Sequence, residues 1–373
     1  MKILIAPDKF KGSLNAREVA ESIAAGIHDA LPDAEVEIVP MADGGEGTAE
    51  AISDALGGSW LKCKVHDPLG REIEARYAWI EERRLAVMEM SEAAGMRRVS
   101  EDERDPVRAN TFGVGEMLLD AAHHGATEII IGLGGSATND GGFGVARALG
   151  FRFFEQEQEL KDAVSELVRL KRVEAPKDLT LPEIVAAVDV KNPLLGKNGA
   201  TRVFGPQKGA EKNQIDTLER ALTRLADIIA EEFGFDYRDK AGAGAAGGLG
   251  FGLMSFCGAE IRPGFDVGAE AVGLESKMKQ VDLAITGEGS LDRQTLEGKT
   301  PAGVARMARK LGKKVFAIVG RAERNREVHS LFNQVCELAR PGMTKEEQMK
   351  RAGELLRERA RGLAKTLERR ARR

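Results

Sequence analysis

Cysteine is scarce in this chain. Cys63, Cys257 and Cys336 are odd in number, far apart, and form no CxxC pair. That argues against a disulfide scaffold and a structural zinc site, and it fits inert thiols in a reducing compartment. Aromatic residues make up only 5% of the sequence, too few to build stacking platforms for single-stranded nucleic acid. No charge of one sign dominates: the formal net charge is −4, which gives no general basic footprint for nucleic acid or membrane. The local exception is Lys350–Arg373, with ten basic and three acidic residues. Its acids are interleaved, and Leu355, Leu356, Leu363 and Leu367 supply an apolar stripe. It reads as a helix docked on the body with a solvated outer face. The five histidines (28, 66, 123, 124 and 329) avoid the glycine-rich loops, so acid–base work falls to carboxylates.

Long apolar runs are also missing. The opening MKILIAPDKF has a run too short for a signal peptide, and Asp8 breaks it. Ala241–Ala259 is nineteen residues without a charge, near spanning length, but it holds seven glycines and lacks basic or aromatic flanks on both sides. It reads as a buried, closely packed Gly/Ala helix or loop, with a membrane span as the alternative. Nucleotide signatures are absent as well. A Walker A loop needs glycine where Arg293 precedes Gly298-Lys299-Thr300, and no HRD or DFG set occurs. GxSxG, HExxH and EF-hand patterns are missing too.

What the chain has is glycine, 43 residues clustered after apolar runs, as ligand loops require and linkers do not. A length of 373 residues favours two domains. Lys2–Ala6 reads as a buried strand. Ser13 or Asn15 caps a helix carrying Val19, Ile23 and Ile27, and Pro32 ends it. Val36–Met41 is a second strand, and Ala49–Leu56 a helix stopped by Gly57-Gly58. This βαβα opening predicts a doubly wound parallel sheet. From residue 59 the character changes. Trp60–His66, Glu72–Ile80 and Leu85–Met90 alternate like antiparallel strands, with turns at Pro68–Gly70 and Glu81–Arg84. Helices are expected at Val107–His123, Val145–Leu149 and Asp216–Phe233, and strands at Glu128–Ile131 and Ile184–Val190. Glu155–Lys177 is charged and reads as surface. The βα alternation returns after Phe265: strand Leu283–Thr286, helix Pro301–Leu311 closed by Gly312, strands Val315–Val319 and Val335–Ala339. The expected fold class is α/β: a Rossmann-like parallel-sheet domain (1–58 plus 268–373) with an inserted second mixed α/β domain (59–267).

Four loops carry chemistry. Asp282–Thr300, DLAITGEGSLDRQTLEGKT, ends an apolar strand in Gly287, Glu288, Gly289, Asp292 and Lys299 before a helix start at Pro301. That is the pattern of a strand feeding a polyanion-binding loop. Asp8-Lys9-Phe10-Lys11-Gly12-Ser13 lies between the first strand and the next helix; its lysines suit a phosphate or carboxylate, the plainer reading being a capped surface turn. Asp43-Gly44-Gly45-Glu46-Gly47-Thr48 has more glycine than a turn needs, which implies close backbone approach; a tight connection is the alternative. Gly132–Gly144 contains Gly132-x-Gly134-x-x-Ala137, a superficial dinucleotide fingerprint, yet no helix can start through Asn139-Asp140-Gly141-Gly142. Ser136, Thr138 and Asn139 add more polar groups than a pyrophosphate loop needs. A second match at Gly242–Gly247 follows no strand and reads as packing. Finally, Asp189 closes an apolar strand before Lys191-Asn192-Pro193. It is either a partly desolvated base with raised pKa or the start of an Asx-turn.

APDKFKGSL, PMADGGEGT, GLGGSATNDGG, AAVDVKNPLLGKNGATRVFGPQKGA, GAGAAGGLGFGL and TGEGSLDRQTLEGKTPAGVA together resemble the bacterial type I glycerate kinases. The resemblance runs in order from the first residue to about Gly320 and thins beyond it. Ser290 departs from it, standing where that family often has arginine. The resemblance implies ATP-dependent phosphorylation of D-glycerate with Mg²⁺, 2-phosphoglycerate as the favoured product with 3-phosphoglycerate open, and a two-domain enzyme with its active site in the cleft between domains. Asp8, Lys9, Lys11, Asp43, Glu46, Asp189, Glu288 and Asp292 fall in its motif positions. On that basis Asp189 is the expected base, and Lys9 and Lys11 neutralise phosphate or carboxylate. Glu288 and Asp292 hold the metal. Asp43 does the same or orients substrate. Gly134, Gly135, Ser136 and Asn139 are expected to line the glycerate or phosphate side. Asp8, Ser13, Gly44, Gly45, Glu46, Gly287 and Gly289 complete the binding set. Domain closure would exclude water. The alternatives are an NAD-dependent hydroxy-acid oxidoreductase and a catalytically silent sugar-acid sensor. The expected protein is cytoplasmic, a monomer or homodimer, with a small-molecule substrate and neither nucleic acid nor membrane as partner.

Overall fold

A computed structural model describes residues 1–340 and 342–371; Arg372 and Arg373 of the basic terminus lie outside the described residues. The chain forms two compact units. The first comprises Met1–Asp43, Glu50–Gly57 and Pro263–Arg373, and the second Gly44–Ala49 and Gly58–Arg262.

The first unit is built on a five-stranded, all-parallel sheet. Its spatial order is Gln334–Glu337, Lys314–Val319, Leu283–Thr286, Lys2–Ile5, Glu35–Ile38. The strand order reverses between Lys2–Ile5 and Leu283–Thr286, which pair as Ile3 with Leu283 and Ile5 with Ile285. Such a switch point leaves a crevice outside the carboxyl ends of the two strands. The central strands are apolar on both faces, as a sheet covered on both sides requires. The first helix, Ala16–His28, starts at Asn15. The Asn15 side chain accepts from the Glu18 amide, and the Glu18 carboxylate accepts from the Asn15 amide. This capping box contributes about 1 kcal/mol. Its buried stripe of Val19, Ala20, Ile23 and Ile27 packs with Leu355, Leu356, Leu363 and Leu367 of helix Ala352–Ala371. A Cβ at Gly26 would stand 2.1 Å from the Arg357 carbonyl oxygen, so glycine is what lets these helices cross closely. The basic terminus is thus a docked amphipathic helix, pinned by Arg357 on both carboxylate oxygens of Asp29 at 2.7 Å.

The second unit has a six-stranded mixed sheet in the order Glu260–Pro263, Glu183–Val188, Glu128–Gly132, Leu85–Glu89, Glu72–Ile80, Ser59–His66. The last three form an antiparallel meander, and Leu85–Glu89 and Glu183–Val188 flank Glu128–Gly132 in parallel. One expectation is overturned here. Glu155–Lys177 is not a surface segment: Leu160, Val164, Leu167, Leu170 and Val173 are buried in the core. The segment supplies two strands of a small sheet, Gln158–Glu159 and Arg172–Glu174, on Arg152–Glu155. Its charges lie between apolar residues spaced every three or four positions, and it is the apolar spacing that decides burial. The uncharged Ala241–Ala259 segment is interior. Its helix Ala245–Cys257 is interrupted at Ala246, Gly247 and Gly248, all with positive φ. Among the described residues no helix is long and apolar enough to cross a membrane.

Candidate active site

The switch point of the first unit gathers the loops after Lys2–Ile5 and Leu283–Thr286. The Asp8 amide donates to the Gly287 carbonyl at 2.8 Å, holding the two loops together. A Cβ at Gly287 would stand 2.3 Å from the Ile318 carbonyl oxygen, so strand Lys314–Val319 packs closely on the loop after Leu283–Thr286. Asp8 is buried. It accepts from its neighbour's Lys9 amide at 2.6 Å and from the Thr300 hydroxyl at 2.8 Å. Burial, and then the negative charge of Asp43, push its pKa up to about 7 despite those donors. Glu288 behaves alike. It is buried, accepts from the Thr295 hydroxyl at 2.7 Å, and burial raises its pKa to about 7; Lys299 opposes, while Asp8 and Asp292 reinforce the rise. Lys299 lies 3.9 Å from Asp292.

The expected cluster of Asp8, Asp43, Glu288 and Asp292 is therefore one electrostatic neighbourhood, crowded with negative charge. Lys9 is half-buried and Lys11 exposed in the loop that borders it. Helix Thr300–Lys310 begins there, with Thr300 itself on Asp8. Its amino end adds positive potential for an anion. Among the described residues no group of three or more His, Cys, Asp or Glu stands close enough to hold a metal. Ser13 is engaged elsewhere, donating to the Met349 carbonyl at 2.7 Å. A groove of about 710 Å³ adjoins this loop, lined by Gly12, Leu14, Lys345, Met349 and Lys350 among others. At Ser290 the missing arginine has a neighbour in its stead: Arg321, on a short strand paired with Ser290–Leu291, donates to the Ser290 hydroxyl at 3.1 Å.

The raised pKa values have a consequence for stability. Between about pH 4, the ordinary carboxylate range, and about pH 7, folded Asp8 holds a proton that the unfolded chain releases. The native state binds more protons, so stability falls as pH rises through that window. Asp8→Asn removes the buried charge. Its thermal midpoint should exceed the wild type's at pH 8 by several degrees, with the gap closing toward pH 4. A variant less stable than wild type at pH 8 would show that Asp8 is offset by partners stronger than Thr300 and Lys9.

In the second unit the loops converge on the carboxyl edge of the parallel strands. Ala187 pairs with Gly132, so Asp189 and Gly134 leave the sheet at the same edge. Asp189 is exposed, which corrects the expected partial desolvation: the strand ends at Val188 and the side chain lies past the covered part of the sheet. The glycine-rich Gly44–Thr48 loop is held by Glu89, a residue the sequence reading passed over. Its carboxylate accepts from the Gly47 amide at 2.7 Å and the Ala49 amide at 3.2 Å. The only sequence signal was an acid closing the all-apolar LAVME strand. A Cβ at Gly132 would stand 2.8 Å from the Gly44 carbonyl oxygen, and one at Gly134 2.8 Å from the Gly45 Cα. The close approach read from these glycines is thus loop against loop. That also removes the dinucleotide fingerprint, because backbone fills the space a pyrophosphate would need and the next helix starts only at Phe143. Gly135 is exposed with φ +72°, and Glu46 is exposed, 3.7 Å from Arg97.

Asp140 is the interior anchor of the Gly132–Gly144 loop. Fully buried, it accepts from the amides of Thr111, Gly142 and Gly144 and from the Thr111 hydroxyl, at 2.8–3.1 Å; burial raises its pKa. Asn139 is buried beside it and donates to the Thr201 hydroxyl at 2.9 Å. Lys208, another residue missed in the sequence, is buried and donates to the Ser136 hydroxyl and the Thr138 carbonyl, both at 2.7 Å.

An open parallel sheet with acids, lysines and a helix amino end at its switch point is an architecture suited to handling phosphate. The family model for the glycerate kinase family matches residues 3–368. A glycerate kinase of Halalkalibacterium halodurans is 40% identical over 372 residues, 97% of each chain. A glycerate 2-kinase of Escherichia coli is 43% identical over 86% of this chain and 85% of its own. A crystal structure of a candidate glycerate kinase 2 from Salmonella typhimurium LT2 matches with a TM-score of 0.90 and 41% identity, covering all of both chains. The protein is an α/β phosphotransferase. It belongs to the glycerate kinase family.

Proposed function

We propose that this enzyme transfers the terminal phosphoryl group of ATP to D-glycerate, with 2-phosphoglycerate as product. The observation that carries the reading is the gathering of Asp8, Asp43, Glu288 and Asp292 around one switch point, in a chain of this family. The product assignment follows the name of the Escherichia coli relative, a glycerate 2-kinase. In the transfer, the glycerate hydroxyl oxygen bonds to the γ-phosphorus as the bond from that phosphorus to the β,γ-bridging oxygen breaks. ADP leaves with that oxygen, and Asp189 takes the hydroxyl proton.

Such a transfer asks the protein for position and charge neutralisation. Lys9 and Lys11 supply positive charge to the phosphates. The groove beside Gly12, with Leu14 and Met349 as apolar lining and Lys345 and Lys350 as basic lining, suits the nucleoside end. Gly134, Gly135, Ser136 and Asn139 receive the acceptor acid.

The acid cluster fits Mg²⁺. Its donors are hard carboxylate oxygens, and a divalent cation would offset both the burial and the neighbouring negative charge that raise Asp8 and Glu288. Glu288 and Asp292 would hold it, the remaining positions going to phosphate oxygens and water, as is usual for Mg²⁺. When bound, the ion offsets charge on the transferring phosphoryl group. Glu288→Gln should raise the Mg²⁺ concentration for half-maximal rate by about tenfold or more. An unchanged metal titration would exclude Glu288 as a ligand.

The reading is tested by ADP release coupled to D-glycerate, followed by ³¹P NMR of the product, which reports activity and the phosphorylated hydroxyl together. No ADP release, or glycerate oxidation with NAD, would overturn it.

A further inference from the structure

We infer that Lys208 is a positioning residue that makes the Gly132–Gly144 loop selective for an acceptor carrying a carboxylate, acting through the Ser136 hydroxyl. The inference rests on the acceptor reading above and adds the group that recognises the acid. Lys208 is only 2% exposed. Its ammonium is hydrogen-bonded to neutral oxygens alone, the Ser136 hydroxyl and the Thr138 carbonyl. Among the described residues no carboxylate lies within ion-pair distance of it. Asp140 contributes charge from farther away, and its oxygens are already committed to four donors. A buried cation without an ion-pair partner is costly, and here burial depresses its pKa to about 7. An anion brought close to it would offset that cost.

The surrounding loop has the matching capacity. Ser136 accepts from Lys208, so its own hydroxyl proton is directed away from the lysine, toward a new acceptor. In the same loop the Thr138 hydroxyl and the Asn139 amide oxygen are buried without a hydrogen-bond partner. Buried polar atoms of this kind are rare in native folds unless a ligand completes them. Together they offer a hydroxyl donor and a positive field for a carboxylate, and two oxygens for hydroxyl groups. That is the chemistry of a small hydroxy acid.

The test compares calorimetric binding of D-glycerate and of its neutral methyl ester to the full-length wild type and to Lys208→Gln, which keeps donors but loses charge. Glycerate binding should weaken by about 10–100-fold, the worth of a hydrogen bond to a charged group, while ester binding changes little. Ser136→Ala, which leaves the lysine in place, should show the same selectivity to a smaller degree. It decides the question if Lys208→Gln does not fold. Equal losses for both ligands, or no loss, would overturn the inference while wild-type turnover of glycerate leaves the proposed function standing. A wild type that neither binds nor phosphorylates glycerate would overturn both.

Discussion

Asp189→Asn should lower kcat by about 10²–10⁴-fold, the usual worth of a positioned general base. The substitution keeps the shape of the side chain and removes its capacity to take a proton. The KM for glycerate should stay within about threefold, because the lost interaction belongs to the transition state. In the proposed role, Asp189 depends on the sheet beneath it. The buried strand Glu183–Val188 is in register with Glu128–Gly132, so Asp189 follows at the same edge from which Gly134 leaves the sheet. Single-turnover ADP formation with saturating glycerate reads the chemical step directly. Near-normal turnover would remove Asp189 from the role.

Gly247→Ala should damage the second unit severely, because it combines a left-handed backbone with a close backbone overlap. Gly247 has φ +71°, and an added Cβ would stand 2.0 Å from the Thr138 carbonyl oxygen and 2.7 Å from the Asn139 Cα. The left-handed backbone costs about 1 kcal/mol with a side chain, and overpacking a tight contact typically adds about 1–3 kcal/mol. The sum corresponds to a midpoint lowered by roughly 5–15 °C in a unit of this size. The overlap falls on the residues that precede Asp140 and neighbour Lys208, so glycerate binding should weaken along with stability. Gly258→Ala is the control. It caps the same helix with φ +64°, but its Cβ would meet nothing within 4 Å. If both variants lose equally, the backbone conformation alone is responsible and the contact with Thr138 is yielding.

Much of the fold could be read locally. The cap at Ser13 or Asn15 and the spacing of Val19, Ile23 and Ile27 announced the first helix, and apolar runs ending in loops marked the strands Lys2–Ile5 and Leu283–Thr286 and their helices. The alternating stretch after residue 59 became the expected meander. Pairing between distant strands is another matter, because no local rule joins Ile3 to Leu283. The error at Glu155–Lys177 came from weighing its charge above the spacing of Leu160, Val164, Leu167 and Leu170. At the candidate site, excess glycine correctly signalled close approach at Gly44 and Gly45, but its partner was another stretch of backbone. Lys208 and Glu89 were invisible for a related reason. A lysine between glutamine and glycine reads as surface until a loop some 70 residues away folds over it.

The first unit closes across a gap in time as well as in sequence. During synthesis on a ribosome, Lys2–Ile5 emerges with one neighbour, Glu35–Ile38, while its other edge waits for Leu283–Thr286. The second unit is nearly complete by Arg262. It can therefore acquire its structure while the amino-terminal strand still has an unprotected edge, which makes that nascent edge the natural target for a chaperone and the first place where crowding invites aggregation.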